Sequence, residues 1–260
     1  MRIPAQHRGT DTATVRDELR LLGTFQLWRS GRLTTPSTSG QRVLTYLALH
    51  GAVPRSRVAG ALWPEVTQAR ANNNLRTVLW RSRGQCEQAV GGRGNLIWLD
   101  ESTTVDHWQF ERWARRLLAS DASAGPIEPP ALYLGTLVPD LDEEWLAGHR
   151  ESNRMLSVQA LELLAARLVA AGRLPAALDY LAAVTQIDPL RESTVRLMIE
   201  IHRRQHNVVD AVLCYERYRA ELRSELGLHP SPKLALLVAD LSRPGRVLEI
   251  SAGSRRSRRP

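Results

Sequence analysis

The sequence predicts a mainly α protein with a small β component, a winged helix-turn-helix domain followed by an all-α domain of stacked helix pairs. Three observations predict it. Helical segments between Gly40 and Arg83 are followed by a glycine-rich hairpin, the second half repeats itself at a fixed spacing, and charge changes sign between the halves. At 260 residues the chain is long enough for two domains, each burying its own core.

Around Leu19, Leu21, Phe25 and Leu27 the pattern alternates, with Ser30-Gly31 as a turn before Leu33, so short antiparallel strands are expected at the start. Helix one follows from Gly40 to His50, where Val43, Leu44, Leu47 and Ala48 fall at helical spacing before the stop at Gly51. Helix two opens after Pro54, carries Val58, Ala61 and Leu62, and closes at Trp63-Pro64 because proline cannot continue a helix. Helix three, Ala69 to Arg83, has Ala71, Leu75, Val78 and Leu79 on one face. Its opposite face carries Arg70, Asn73, Arg76, Thr77, Trp80 and Arg81, with Arg83 at the flank.

Gly91 to Asn95 reads as a turn cluster before the strand Leu96–Leu99, which makes a wing with Arg93 near its tip. No Gly-Lys-Ser or Gly-Lys-Thr follows these glycines, so a phosphate cradle is not expected. Asp106 and Gln109 fit a capping box that opens a helix through Phe110, Trp113, Ala114 and Leu117. Residues 119 to 130 have the composition of a linker, with Pro126, Pro129 and Pro130.

Beyond the linker nearly everything is helical. Leu164 pairs with Met198, Ala177 with Ala211, Leu178 with Val212 and Leu181 with Tyr215, all 34 residues apart, the tetratricopeptide period. The alanines let paired helices approach, Leu181 and Tyr215 fill the space beside them, and Pro189 ends the first repeat. The expected division is a flexible start over 1–18, the winged domain over 19–110, the tetratricopeptide-like domain over 111–242 and a basic disordered tail over 243–260.

Charge locates the partners. Residues 1–120 carry a net +8, residues 121–242 a net −5 and residues 243–260 a net +5, so the first half is expected to meet a polyanion, double-stranded DNA above all. An α-helix fits the major groove, where arginine recognises guanine and asparagine adenine by paired hydrogen bonds. Arg76, Arg81 and Asn73 are therefore the candidates for base edges. Arg70, Arg83 and Arg93 suit phosphates, and Trp80 a sugar or a thymine methyl.

Other chemistry is not expected. His202 and His206 have a metal-ligand spacing but no third ligand, and Cys86 and Cys214 are too few and too far apart for a disulfide framework. The run Asp140, Asp142, Glu143 and Glu144 before Trp145 reads as a solvated helix start, not an acid/base pair. No catalytic residue, metal or cofactor is expected. No apolar run approaches a membrane span and no secretory signal is evident, so the expected location is the cytoplasm.

The chain resembles the Streptomyces antibiotic regulatory proteins, which join a winged helix like that of response regulators to a bacterial transcriptional activation domain. The resemblance is carried by Arg55 through Leu62-Trp63-Pro64, by Leu75 through Arg81, and by Val105-Asp106 with Phe110. In the second half it is carried by Tyr133-Leu134-Gly135, Leu137, Trp145, Ala176-Ala177-Leu178, Asp188 through Glu192, and Glu225-Leu226-Gly227-Leu228 before Pro230-Ser231-Pro232. Ser82 stands where the family usually buries a leucine, and His206 where it usually has a glycine.

The resemblance implies an activator that binds short direct repeats near promoters as a side-by-side homodimer, recruits RNA polymerase and controls a secondary-metabolite gene cluster. Fewer than 20 residues precede the first strand, too few for a phosphoacceptor domain, so control is expected from expression level, partners or a ligand. The competing expectation is a tetratricopeptide adaptor without specific DNA binding.

Overall fold

The computed structural model describes residues 17–81, 89–120, 129 and 135–241. Their contacts divide into two compact units, the first comprising Met1–Trp113 with Pro129–Arg154 and the second Ala114–Glu128 with Met155–Pro260. The described chain is mainly helical, with its strands confined to the first unit, as the composition of its segments predicts.

In the first unit β1 (Glu18–Arg20), β2 (Gln26–Arg29) and β3 (Arg32–Thr34) form an antiparallel meander, with Leu19 opposite Leu27 and Trp28 opposite Leu33. Ser30 and Gly31 both take positive φ, 47° and 77°, the conformation a two-residue turn needs to match strand twist. α1 (Thr38–His50) starts where the Ser37 hydroxyl accepts the Gly40 N–H and ends at Gly51, whose φ is 68° and whose N–H donates to the Leu47 carbonyl. β4 (Val53–Pro54) leads into α2 (Arg55–Leu62), and α3 (Gln68–Arg81) follows a short turn. β5 (Val90–Arg93) and β6 (Leu96–Leu99) form the hairpin, and β4 pairs with β6.

β7 (Thr104–Val105) lies parallel to β1 and completes the first sheet in the order β3-β2-β1-β7. α4 (Asp106–Ala119) follows at once. The Asp106 carboxylate does not act as half of a reciprocal capping box. It is buried, and it accepts the N–H groups of Leu21 at 2.8 Å, Leu22 at 3.0 Å and His107 at 2.6 Å, which fixes the helix start to the end of β1. Burial pushes this carboxyl up from its ordinary value, and the three N–H groups pull the other way.

Residues 135–154 belong to the first unit, although the sequence places them beyond the linker. Leu137 bridges to Leu22, the Gly23 N–H donates to the Thr136 carbonyl and the Val138 N–H to the Leu21 carbonyl. Arg150 holds the loop from behind by donating to the carbonyls of Leu137, Val138 and Leu141. Asp140, Asp142 and Glu144 of the acidic run are exposed, as a solvated helix start requires, and Glu143 is the exception. Glu143 is mostly covered and paired with Arg42, and a short 3-10 turn (Glu144–Leu146) leads into α5 (Ala147–Ala170).

In the second unit α6 (Leu174–Ile187), α7 (Glu192–Arg204), α8 (Val208–Leu226) and α9 (Pro232–Leu241) follow as successive helices. Ala177 and Ala211, 34 residues apart, are fully buried, and Leu181 is buried with Ala177. Val195, Ile199, Ala211, Tyr218, Leu222, Leu234 and Val238 make one apolar cluster. The motif at 188–192 works through two carboxylates. Glu162 accepts the hydroxyls of Ser193 and Thr194 at 2.6 Å and pairs with Arg191 at 2.9 Å, while Glu192 accepts the N–H and hydroxyl of Ser231. Gly172 and His206, again 34 apart, both close their helix pairs in the left-handed region, at φ 73° and 61°. Cys214 is a half-buried free thiol, raised by burial, and Cys86 lies outside the described residues.

Candidate nucleic-acid interface

α2, the turn Trp63–Thr67 and α3 make the helix-turn-helix. α3 is seated by Ala71 and Leu75, both buried. Its start is tied to α2 by Gln68, whose amide donates to the Ser56 carbonyl and to Asn72 Oδ1, each at 3.1 Å. The outward face is as the sequence predicts: Arg70, Asn73, Arg76, Thr77, Trp80 and Arg81 are all exposed. Trp80 keeps 64% of its surface open, which is unusual for so apolar a side chain outside an interface.

Among the described residues Arg70, Arg76 and Arg81 make no ion pair and no side-chain hydrogen bond. Among the described residues no acidic side chain pairs with them. Thr77 is different, since its hydroxyl donates to the Asn73 carbonyl at 2.9 Å one turn back. Arg83 and Ser82 lie outside the described residues.

The wing is shorter at its tip than the glycine run suggests. Gly91, Gly92 and Arg93 belong to β5, and only Gly94-Asn95 form the turn, with Gly94 at φ 59°. Gly91 is required by packing, because a Cβ there would come within 2.7 Å of Cε2 in the Trp98 indole. A Cβ at Gly92 would meet Arg55 Nη2 at 3.0 Å. The wing is anchored to α2, as the Arg55 N–H donates to the Asn95 carbonyl at 2.8 Å. Arg93 stands exposed beside that turn.

Sequence reasoning passed over Arg57, exposed in the first turn of α2. Its signal was present in the Arg-Ser-Arg opening of that helix, but a single exposed cation has no periodicity to mark it.

Residues 105–241 match the family described as the bacterial transcriptional activator domain. The chain belongs to this family. The match agrees with the resemblance to the Streptomyces antibiotic regulatory proteins read from the residues, and it places this activator-domain protein among the transcriptional activators. No curated protein matches the chain. Among solved structures it is similar to Mycobacterium tuberculosis EmbR, determined in complex with a low-affinity phosphopeptide, at 21% identity and a TM-score of 0.64. The alignment covers 87% of this activator-domain protein and 65% of the EmbR chain, so the likeness is one of fold over about two thirds of that structure. No helix among the described residues is long and apolar enough to cross a membrane.

Proposed function

We propose that this activator-domain protein recognises specific double-stranded DNA through α3 in the major groove and activates transcription by recruiting RNA polymerase. The observation that carries this reading is the outward face of α3, where Arg70, Arg76 and Arg81 surround Asn73 and Trp80 without an acidic partner among the described residues. Arg76, Arg81 and Asn73 read base edges, Thr77 and Trp80 add apolar contact, and Arg70, Arg83 and Arg93 hold phosphates, with Arg57 as a further phosphate contact. Two protomers lie side by side on short direct repeats near a promoter, the helical half engages polymerase, and the target is a secondary-metabolite gene cluster. No step of this is catalytic.

The test begins with selection of preferred duplexes from a random pool, then measures binding against salt. Arg76→Ala or Arg81→Ala is expected to cost about 1 to 3 kcal/mol on the selected site and to relax its sequence preference. Arg93→Ala is expected to weaken all duplexes alike and to lower the salt slope by about one. Binding that ignores salt, with no sequence enriched, would support the adaptor reading in place of this one.

A further inference from the structure

α1 presents Arg42, Tyr46 and His50 on one face, four residues apart, and each meets a residue of the stretch 143–149 in the same unit. Arg42 pairs with Glu143 through Nε to Oε1 at 2.5 Å and Nη2 to Oε2 at 2.9 Å. The Tyr46 ring stands edge-on to Trp145 at 5.0 Å, and His50, stacked on Tyr46 at 3.9 Å, lies with its Nε2 3.4 Å from that of His149. Trp145 closes the set by donating its indole N–H to Glu143 Oε2 at 2.8 Å. These three layers form a clasp.

Arg42 also faces the other way. Its Nη2 donates at 2.5 Å to the carbonyl of Leu62, the last residue of α2, and its guanidinium lies 5.8 Å from the ring centre of Trp63. Trp63 is the first residue of the turn into α3. One guanidinium thus holds the end of α2, the start of the turn and the Glu143 carboxylate. The side chains of Arg42 and Glu143 retain only 20% and 14% of their exposure, so the pair is poorly screened and neither charge is readily available to a phosphate.

We infer that Arg42 is a positioning residue for DNA recognition, and that the 143–149 clasp, through Glu143, fixes the turn that aims α3. The inference rests on the DNA-binding reading above and deepens it: residues far along the chain from the helix-turn-helix govern how well it reads sequence. With Glu143 in place, Arg42 Nη2 is shared between a carboxylate and a helix-end carbonyl, and Nε lies against the same carboxylate. Without it, the guanidinium is a half-buried unpaired cation that turns outward to water. The Leu62 carbonyl and the turn then lose their fixed partner.

The test uses the full chain with Glu143→Gln, Glu143→Ala, Arg42→Lys and the wild type, on the selected duplex and on an unrelated one. Glu143→Gln keeps an acceptor for the Trp145 indole and removes the charge, so it guards against simple unfolding. Glu143→Ala is expected to weaken the selected duplex by about tenfold, the size of coupling typical between contacting groups. Binding to the unrelated duplex and the salt slope should stay unchanged, Glu143→Gln should lose less, and Arg42→Lys should lie between wild type and Glu143→Ala. Amide exchange at Trp63 and Val66 should accelerate in Glu143→Ala, while that at the centre of α1 does not.

Wild-type affinity in all variants, or unchanged exchange at Trp63 and Val66, overturns the inference and leaves the DNA reading intact. An equal loss on both duplexes with a lower salt slope overturns it differently, by showing that Arg42 is itself a phosphate contact. A wild type that binds no duplex in a salt-dependent way overturns the DNA reading and this inference with it.

Discussion

Replacing Asp106 by alanine tests the join between the first sheet and α4. The carboxylate is the acceptor for the N–H groups of Leu21 and Leu22, residues that are themselves buried, and for the N–H of His107 in the first helical turn. Each buried N–H left without an acceptor costs about 1 to 3 kcal/mol, and loss of the helix-start contact adds about 1 kcal/mol. Against this, the variant is relieved of holding a charge in a site whose burial raises its pKa. The net expectation is a destabilisation of about 3 kcal/mol. With a urea slope of about 1 to 3 kcal/mol per molar, the midpoint should fall by about 1 to 3 M. The assay is specific to this unit because the tryptophans, Trp28, Trp63, Trp80, Trp98, Trp108, Trp113 and Trp145, all belong to it, so intrinsic fluorescence follows its unfolding. Asp106→Asn keeps one acceptor oxygen and should fall between wild type and alanine. A midpoint shift below about 0.3 M for Asp106→Ala, with an unchanged slope, would refute the reasoning, since it would mean the two N–H groups find other partners at little cost.

Two further outcomes are expected. Burial holds the imidazoles of His149 and His107 below their ordinary value of 6.5, with His50 and His107 adding to the effect at His149. As pH falls through 6.5 the unfolded chain takes up protons first, so the first unit should lose stability from neutral pH downward and level off below the folded values. Urea midpoints read by fluorescence that stay constant between pH 8 and about pH 5 would contradict this. In the second unit, His206→Gly should stabilise by about 0.5 to 1 kcal/mol, because an L-residue in the left-handed region is strained and glycine is not, less the extra freedom glycine has when unfolded. Thermal unfolding followed by far-ultraviolet circular dichroism should shift upward by about 2 to 4 °C, and a downward shift would show that the His206 side chain contributes more than its backbone costs.

The elements with local periodicity were legible. The apolar spacing of Leu44, Leu47, Val58, Leu62 and Leu75 marks α1 to α3 because each residue signals its burial within a turn or two of its neighbours. The 34-residue echo from Ala177 to Ala211 does the same for the helix pairs, and it locates His206 as the partner of Gly172. The exposed face of α3 was legible as the complement of its buried one. What the sequence hid is non-local. β7 consists of two residues, Thr104 and Val105, and is a strand only because β1 lies beside it. Glu143 stands in an acidic run that looks like surface, and only the fold brings Arg42 to it from 101 positions away. Gly91 and Gly92 look like a turn, but their lack of side chains makes room for Trp98 and Arg55 within a strand pair. Composition reported the absence of a side chain there, and tertiary packing decided its use.

Because the stretch 135–154 is part of the first unit, that unit is discontinuous along the chain, and this bears on how the protein is made. On a translating ribosome the helix-turn-helix and wing emerge early, yet Leu137, Arg150 and the clasp residues follow only after Trp113 by up to about 40 residues, roughly 2 to 8 s at ordinary elongation rates. During that interval the nascent chain carries α1 with Tyr46 and His50 not yet covered by Trp145 and His149, and β1 lacks the partner that Leu137 later brings to it. Synthesis must therefore run well past Arg81, the last described residue of α3, before α1 and β1 acquire these partners, and a truncation that ends with the wing should behave as an arrested nascent chain does.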